Sequence, residues 1–371
     1  MEMSDGNELI RIVNIENKGR AIVSSRDLKA GEVILKESPL LLYSAIPLDA
    51  AAAAANYCAH CFRIISHKAV PCPNCSPPSL FCSSKCQSQS SSSSHTAFVC
   101  QSLAHLRSPD SPLRRHDQDR HIQAWFLISA YNLALISPPH FQILLSLQGE
   151  PTIDETSLLL HSITSDACRR HSPIPPPSVE LTAALLAKDK LNAFGLMEPL
   201  DEDRERSVRA YGIYPKASFF NHDCLPNACR FDYVDSAANG NTDIVVRVIH
   251  DLAGGREVCL SYFPVNVKYS ERQARLMDDY GFICDCDRCR VEASWSDDET
   301  MEEDHDSMEE GTCDDDDFPH SYFFVKYMCS GENCGGTLAP LPPGSSSDNN
   351  NNTKTMECNV CGRLEVDEED N

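Results

Sequence analysis

Apolar positions recur at helical spacing in two stretches of the chain. In 122–136 they are Ile122, Trp125, Phe126, Ile128 and Leu133; in 179–191 they are Leu181, Leu185 and Leu186, with alanines between. Side chains three or four residues apart share one face of a helix, so both stretches predict amphipathic helices. Leu9–Val13, Ala21–Val23, Val33–Leu35 and Asp243–Ile249 are short runs rich in Ile and Val and predict strands. Low-complexity segments interrupt this pattern: Ala50–Ala55, Ser88–Ser94, Pro173–Pro177 and Gly344–Asn352 read as loops or linkers. There is no periodic repeat. The expected class is α+β: a β-rich first segment, a cysteine-rich insert, a helical middle, a second β-rich segment and a cysteine-rich end.

No run of 18 or more apolar residues exists; the nearest, Leu40–Ala55, is broken by Pro47 and Asp49. This argues against a membrane span. Met1–Arg20 is polar and lacks the basic-then-apolar layout of a secretory signal. An intracellular protein is expected, in which clustered thiols bind metal rather than form disulfides.

The 371 residues suggest two or three domains. They carry 32 Lys and Arg against 55 Asp and Glu, a net charge of −23, but that charge is not spread evenly. Asp297–Asp317 holds 13 acids and no Lys or Arg, and Gly362–Asn371 holds five acids and one arginine. Without these 18 acids and one base, 37 acids face 31 bases, a net of −6. Like-charge blocks repel and bury little apolar area, so both read as disordered. The acidity speaks against broad binding to a phosphate backbone.

The 19 cysteines fall into clusters. Cys58, Cys61, Cys72, Cys75, Cys82, Cys86, His95 and Cys100 offer eight ligands, enough for two tetrahedral zinc ions. Their segment has only Arg63, Lys68 and Lys85 as bases, too few for a nucleic-acid face. Cys284, Cys286 and Cys289 are three thiols that need a fourth ligand, for which Cys224 is the best candidate. Cys329, Cys334, Cys358 and Cys361 form a zinc-ribbon-like set. Cys168, Cys229, Cys259 and Cys313 are left over and lack a Cys-His catalytic context.

The first cluster resembles the MYND zinc finger. That resemblance implies interleaved pairing, with Cys58, Cys61, Cys82 and Cys86 on one zinc and Cys72, Cys75, His95 and Cys100 on the other. The family has His-x3-Cys where four residues separate His95 from Cys100, a spacing that would not share a helix face. Ser218-Phe-Phe-Asn-His-Asp-Cys-Leu-Pro-Asn-Ala228 matches the N-H-x-C-x-P-N signature of SET domains, and Glu257-Val-Cys-Leu-Ser-Tyr262 matches their E-[LV]-x-x-x-Y element. Cys284-x-Cys286-x2-Cys289 then resembles the post-SET zinc motif. Lys18-Gly-Arg-Ala21, followed by Lys29-Ala-Gly-Glu-Val-Ile34, resembles the opening of a SET domain, with Ala21 where the family has a second glycine.

A SET domain split by a MYND finger is similar to the SMYD group of protein lysine methyltransferases. This implies a SET domain in two parts (7–49 and 191–270), a MYND-type finger (56–101), a helical insert (102–190) and a post-SET segment (271–290). An acidic linker (296–318), a ribbon-like segment (321–363) and an acidic tail (364–371) would follow. The helical repeat domain that ends vertebrate-type members has no counterpart here.

The implied cofactors are S-adenosylmethionine and about four zinc ions, and the implied substrate is a protein lysine, histone or otherwise. The resemblance assigns Tyr262 and Tyr280 to catalysis. Lys18, Gly19, Arg20, Asn192, Asn221, His222, Tyr262 and Phe282 would contact the cofactor. A lysine ammonium has a pKa of about 10.4 and must lose its proton to attack, which an apolar aromatic channel favours. The chemistry would belong to tyrosines and the zinc to the scaffold. An alternative is a non-catalytic adaptor whose finger binds proline-rich peptides; Asn221, His222 and Tyr262 argue against it. With no clear basic targeting run, nucleus and cytoplasm both stay open.

Overall fold

The computed structural model describes residues 8–50, 56–172, 175–198, 207–237, 240–294, 321–332, 334–343 and 354–367. Along the chain come β1 (Ile10–Ile15), β2 (Gly19–Ser24), β3 (Val33–Glu37), β4 (Leu41–Ser44), β5 (Val70–Pro71), β6 (Leu80–Phe81), α1 (Ser84–Ser90) and α2 (Ala97–Leu106). Four helices follow: α3 (Gln118–Ile136), α4 (Pro138–Leu145), α5 (Glu155–His171) and α6 (Val179–Asn192). Then come β7 (Ala193–Met197), β8 (Val208–Ile213), β9 (Asn221–His222), β10 (Ala228–Asp232), β11 (Ile244–Val248), β12 (Cys259–Leu260), α7 (Tyr269–Arg275) and α8 (Asp287–Glu292). The C-terminal end adds α9 (Ser321–Tyr327), β13 (Leu338–Pro340), β14 (Lys354–Cys358) and β15 (Leu364–Asp367).

Two compact units divide the chain: residues 1–36, 219–231 and 245–371 form the first, and 37–218 with 232–244 form the second. The second β-rich segment expected over 191–270 is therefore shared between units. The acidic linker at 296–318 lies outside the described residues. Strand β15 occupies part of the span expected to be an acidic tail. There, Leu364 and Val366 alternate with Glu365 and Asp367, and β15 pairs antiparallel with β14 from Glu357↔Leu364 to Lys354↔Asp367. Strand pairing thus outweighs the local charge.

In the first unit β1 and β2 pair antiparallel from Ile10↔Ser24 to Ile15↔Gly19. The chain reverses between them with Asn17 and Gly19 at positive φ, 64° and 73°. Glycine takes this left-handed conformation without a Cβ penalty, and asparagine tolerates it. Strand β2 is buried through Ala21, Ile22 and Val23, and the Val258 amide donates to the Ile22 carbonyl at 2.8 Å. Strands β9 and β12 pair in parallel, setting Asn221 beside Cys259 and His222 beside Leu260. Strands β10, β11 and β3 form a sheet in that order.

The second unit holds the antiparallel sheet β4-β8-β7, the cysteine-rich finger and helices α3–α6. Helix α3 begins four residues before the apolar pattern, because the Asp117 side chain caps it by accepting from the Arg120 amide at 3.0 Å. Asp154 and Ser157 form a capping box at α5, and Ser178 caps α6. Phe126, Leu127, Leu133, Leu160 and Leu185 sit in one core. Among the described residues, no helix is long and apolar enough to cross a membrane.

One buried acid in this unit titrates near neutrality. Asp189 accepts a short hydrogen bond from the Tyr43 hydroxyl, and burial pushes its carboxyl pKa up to about 7. The folded state therefore holds this proton more tightly than the unfolded chain does. Its contribution to stability is full below about pH 4 and is lost as pH rises through about 7. Asp189→Asn is expected to remove this component, so its stability relative to wild type should improve from about pH 5 to about pH 8. Urea midpoints at both pH values check this; a constant difference contradicts it.

Candidate active site and metal centres

Four groups of ligand atoms converge, each group within 4.8 Å of one another: Cys58, Cys61, Cys82 and Cys86; Cys72, Cys75, His95 and Cys100; Cys224, Cys284, Cys286 and Cys289; Cys329, Cys334, Cys358 and Cys361. Tetrahedral zinc with bonds of about 2.3 Å places its sulfurs about 3.8 Å apart. The sulfurs of Cys61 and Cys82 are 3.8 Å apart, of Cys72 and Cys100 3.9 Å, of Cys224 and Cys284 4.0 Å, and of Cys329 and Cys361 3.6 Å. Disulfides need about 2.05 Å, and every cysteine among the described residues is a free thiol. These sets fit a thiophilic tetrahedral ion.

The His95 spacing has a local solution. Thr96 is extended and caps α2, so His95 lies outside the helix while Cys100 lies in its first turn. The imidazole folds back, with Nε2 3.0 Å from the Cys75 sulfur. Burial lowers the His95 pKa to about 4, which leaves the ring neutral, as a ligand must be.

Around the Cys224 group, Arg272, Arg288 and Glu292 are all buried. Both arginines pair with the one glutamate, so positive charge is in excess beside the sulfurs. Arg272 points Nη2 at the Cys289 sulfur, 3.7 Å away. Excess guanidinium charge is what a metal-bound thiolate set, with its surplus negative charge, would balance. Hydrogen bonding from Cys224 puts the Cys289 thiol well below its ordinary pKa.

From Cys224 the chain leads directly to the tyrosines. His222 Nε2 is 3.2 Å from the Cys224 sulfur, while His222 Nδ1 accepts from the Tyr262 backbone amide at 3.2 Å. With Nδ1 accepting, the ring proton resides on Nε2, facing the sulfur. The Tyr262 hydroxyl donates to the Phe220 carbonyl at 3.0 Å. The Tyr262 and Tyr280 rings lie 4.7 Å apart, and Phe282 is 6.5 Å from both Tyr280 and His222. Burial raises the phenol pKa of Tyr262 and of Tyr280, so both hydroxyls stay protonated at neutral pH. As protonated phenols they are neutral hydrogen-bonding groups.

The residues expected at the cofactor divide into two groups. Lys18 Nζ contacts one Glu257 oxygen at 2.7 Å, and the Asn221 amide donates to the other at 2.8 Å. Partial burial opposes the charge on Lys18, but the Glu257 carboxylate outweighs it and the ammonium pKa is raised. Arg20 lies 4.7 Å over the Phe219 ring. A Cβ on Gly19 would meet nothing within 4 Å, so the space over this turn is open. Asn192 belongs to the second unit, where its side-chain amide donates to the carbonyls of Gln148 and Lys188 at 2.8 and 2.7 Å.

Two organising residues went unassigned in the sequence reading although both stand inside its motifs. Glu257 bridges Lys18 and Asn221. Asn227 pins the same stretch, donating to the Glu257 carbonyl and accepting from the Cys259 amide, both at 2.9 Å.

Comparison with known proteins accords with this arrangement. The SET domain family model matches residues 19–263. Histone-lysine N-methyltransferase ASHR2 of Arabidopsis thaliana is 52% identical, over 97% of this chain and 96% of that protein. Histone-lysine N-methyltransferase ASHR1 of the same plant is 24% identical, over 89% of this chain and 61% of that protein. Histone-lysine N-methyltransferase SMYD3 of Mus musculus is 30% identical, over 32% of this chain and 24% of that protein. With the family model spanning most of the chain, and a relative matching it almost end to end, the chain belongs to the SET-domain family.

Proposed function

We propose that the chain is an S-adenosylmethionine-dependent protein-lysine N-methyltransferase acting on histone or other protein lysines. The observation that carries this reading is the double restraint on Tyr262: its hydroxyl on the Phe220 carbonyl and its amide on His222, with Tyr280 at 4.7 Å. When bound, the cofactor supplies an electrophilic methyl whose bond to sulfur breaks as the bond to the amine nitrogen forms. The chain's part is to deliver that nitrogen uncharged and aligned. The partly buried rings of Tyr262 and Tyr280, with the exposed ring of Phe282 beside them, disfavour the ammonium and release its proton to solvent. The Tyr262 oxygen, its own proton given to the Phe220 carbonyl, accepts an N–H of the amine and so leaves the lone pair free to attack, and alignment of the reacting atoms supplies much of the acceleration. Lys18, Arg20 and Asn221, steadied by Glu257 and Phe219, offer cationic and amide groups suited to the cofactor's amino-acid end.

The four thiolate-rich groups are read as structural zinc sites, and the two in the finger as a MYND-type module. A second binding mode is available beside that finger. A cleft lined by Tyr57, Phe62, Leu80, Arg107 and Trp125 has the aromatic character that suits a proline-rich peptide. A labelled proline-rich peptide that binds Trp125→Ala as tightly as wild type would remove this role from the cleft. Chromatin regulation in the nucleus is the setting that fits a histone substrate, and fractionation of the tagged chain that finds it wholly outside the nucleus contradicts that setting.

Purified protein is expected to transfer labelled methyl groups to histones or to proteins in a cell extract. Tyr262→Phe should lower kcat on the order of a hundredfold by loosening alignment, with cofactor affinity by calorimetry nearly unchanged. Equal turnover in the variant removes Tyr262 from its role. A wild-type chain that neither transfers methyl groups nor binds the cofactor sinks the methyltransferase reading.

A further inference from the structure

The segment just past Tyr262 touches a part of the chain that the reaction does not use. Gly335 stands between Cys334 and the strand leading to Cys358, with φ at +59°. A Cβ there would lie 3.1 Å from Asn266 Oδ1 and 3.3 Å from Pro264 Cβ. The same segment is also held by post-SET arginines. Arg288 donates to the Val265 carbonyl at 2.6 Å, and Arg272 donates to the Val267 carbonyl at 2.7 Å. The stretch following Tyr262 is thus contacted by residues that neighbour two of the thiol clusters.

The C-terminal cluster is also anchored into the sheet of its unit. Arg247 on β11 is buried and reaches the Glu357 carboxylate at 2.7 Å, and its guanidinium lies 3.6 Å over the Phe231 ring. Glu357 immediately precedes Cys358. Asn359, immediately after it, donates to the Arg230 carbonyl at 3.3 Å. Gly31 packs against the end of β13 so closely that a Cβ would fall 2.5 Å from the Leu341 carbonyl oxygen. Cys358 therefore sits between two side chains that hold the SET sheet, and its sulfur would lie 2.4 Å from a Cβ on Gly336.

A three-stranded sheet with a core of Leu338, Ala339 and Met356 is too small to be stable without a staple. A tetrahedral ion on Cys329, Cys334, Cys358 and Cys361 would be that staple. We propose that this C-terminal metal site is a brace for the active site: when loaded, it fixes the 264–268 segment and thereby the position of Tyr262. Losing the metal frees Glu357 from Arg247 and Gly335 from Pro264 and Asn266, so turnover falls while the Lys18, Asn221 and Glu257 cluster is left in place. The proposal rests on the methyltransferase and zinc readings above.

The test uses the full chain carrying Cys358→Ser with Cys361→Ser. Zinc per chain should drop from four to three by elemental analysis. kcat should fall at least about tenfold through loosened alignment, while cofactor affinity stays within about threefold. Loss of one zinc with kcat unchanged overturns the brace, and so does an equal loss of kcat and cofactor affinity. If the double variant loses more than one zinc, Gly335→Val decides. It keeps every ligand, and the brace predicts full zinc with kcat reduced about fivefold or more, whereas unchanged kcat overturns it. A wild-type chain with only three zincs would refute the fourth metal site, and a wild-type chain inactive with cofactor bound would refute the enzymatic reading.

Discussion

A short chain of contacts runs from sulfur to phenol. The Cys224 thiol meets His222 Nε2, His222 Nδ1 accepts from the Tyr262 amide, and the Tyr262 hydroxyl is spent on the Phe220 carbonyl. Each group is buried or half-buried, where an unmet donor or acceptor costs about 1–3 kcal/mol. The cysteine, the histidine and the tyrosine therefore hold one another in place. A candidate metal ligand thus lies two positions from a residue expected at the cofactor. Parallel pairing of β9 with β12 puts Asn221 and His222 beside the strand that ends two residues before Tyr262. Glu257, in the run leading into β12, collects Lys18 and Asn221.

The thiol clusters and the tyrosine site use different side chains. Across the four clusters, cysteines and the single His95 offer four ligand atoms each, a set that a tetrahedral ion would fill with no position left for a substrate. The buried arginines around Cys224, Cys284, Cys286 and Cys289 offset thiolate charge and also bond the backbone that follows Tyr262. Methyl transfer needs an apolar, aromatic site with fixed dipoles, and the raised phenol pKa values of Tyr262 and Tyr280 match that requirement.

Much of this was legible in the sequence because its information is local. Cys-x2-Cys brings two sulfurs to one ion, and the interleaved grouping that the MYND resemblance implied for Cys58–Cys100 is the grouping found in space. The body of the helix from Ile122 follows from apolar spacing and the strand at Ile10 from its Ile and Val content, whereas the first turn from Gln118 comes from the Asp117 cap. Contacts between distant segments were not legible. Lys18 and Glu257 are 239 positions apart, and neither residue alone announces the pair. Strand β15 was hidden by its acids, because register with β14 is a tertiary fact. The Asp189 burial depends on Tyr43, 146 positions earlier. Asn192 was placed by resemblance alone, and its amide bonds within the second unit follow from the end of α6 meeting Gln148.

The account stands on the claim that thiolate-bound metal holds the frame in which the tyrosines work. Native mass spectrometry of the intact chain with bound cofactor addresses it most directly. The expected mass is that of the chain with four zinc ions. Acid or chelator release of all four ions should shift the protein to an expanded charge distribution and shed the cofactor. A chain that stays compact and keeps its cofactor after all zinc has gone would contradict the account.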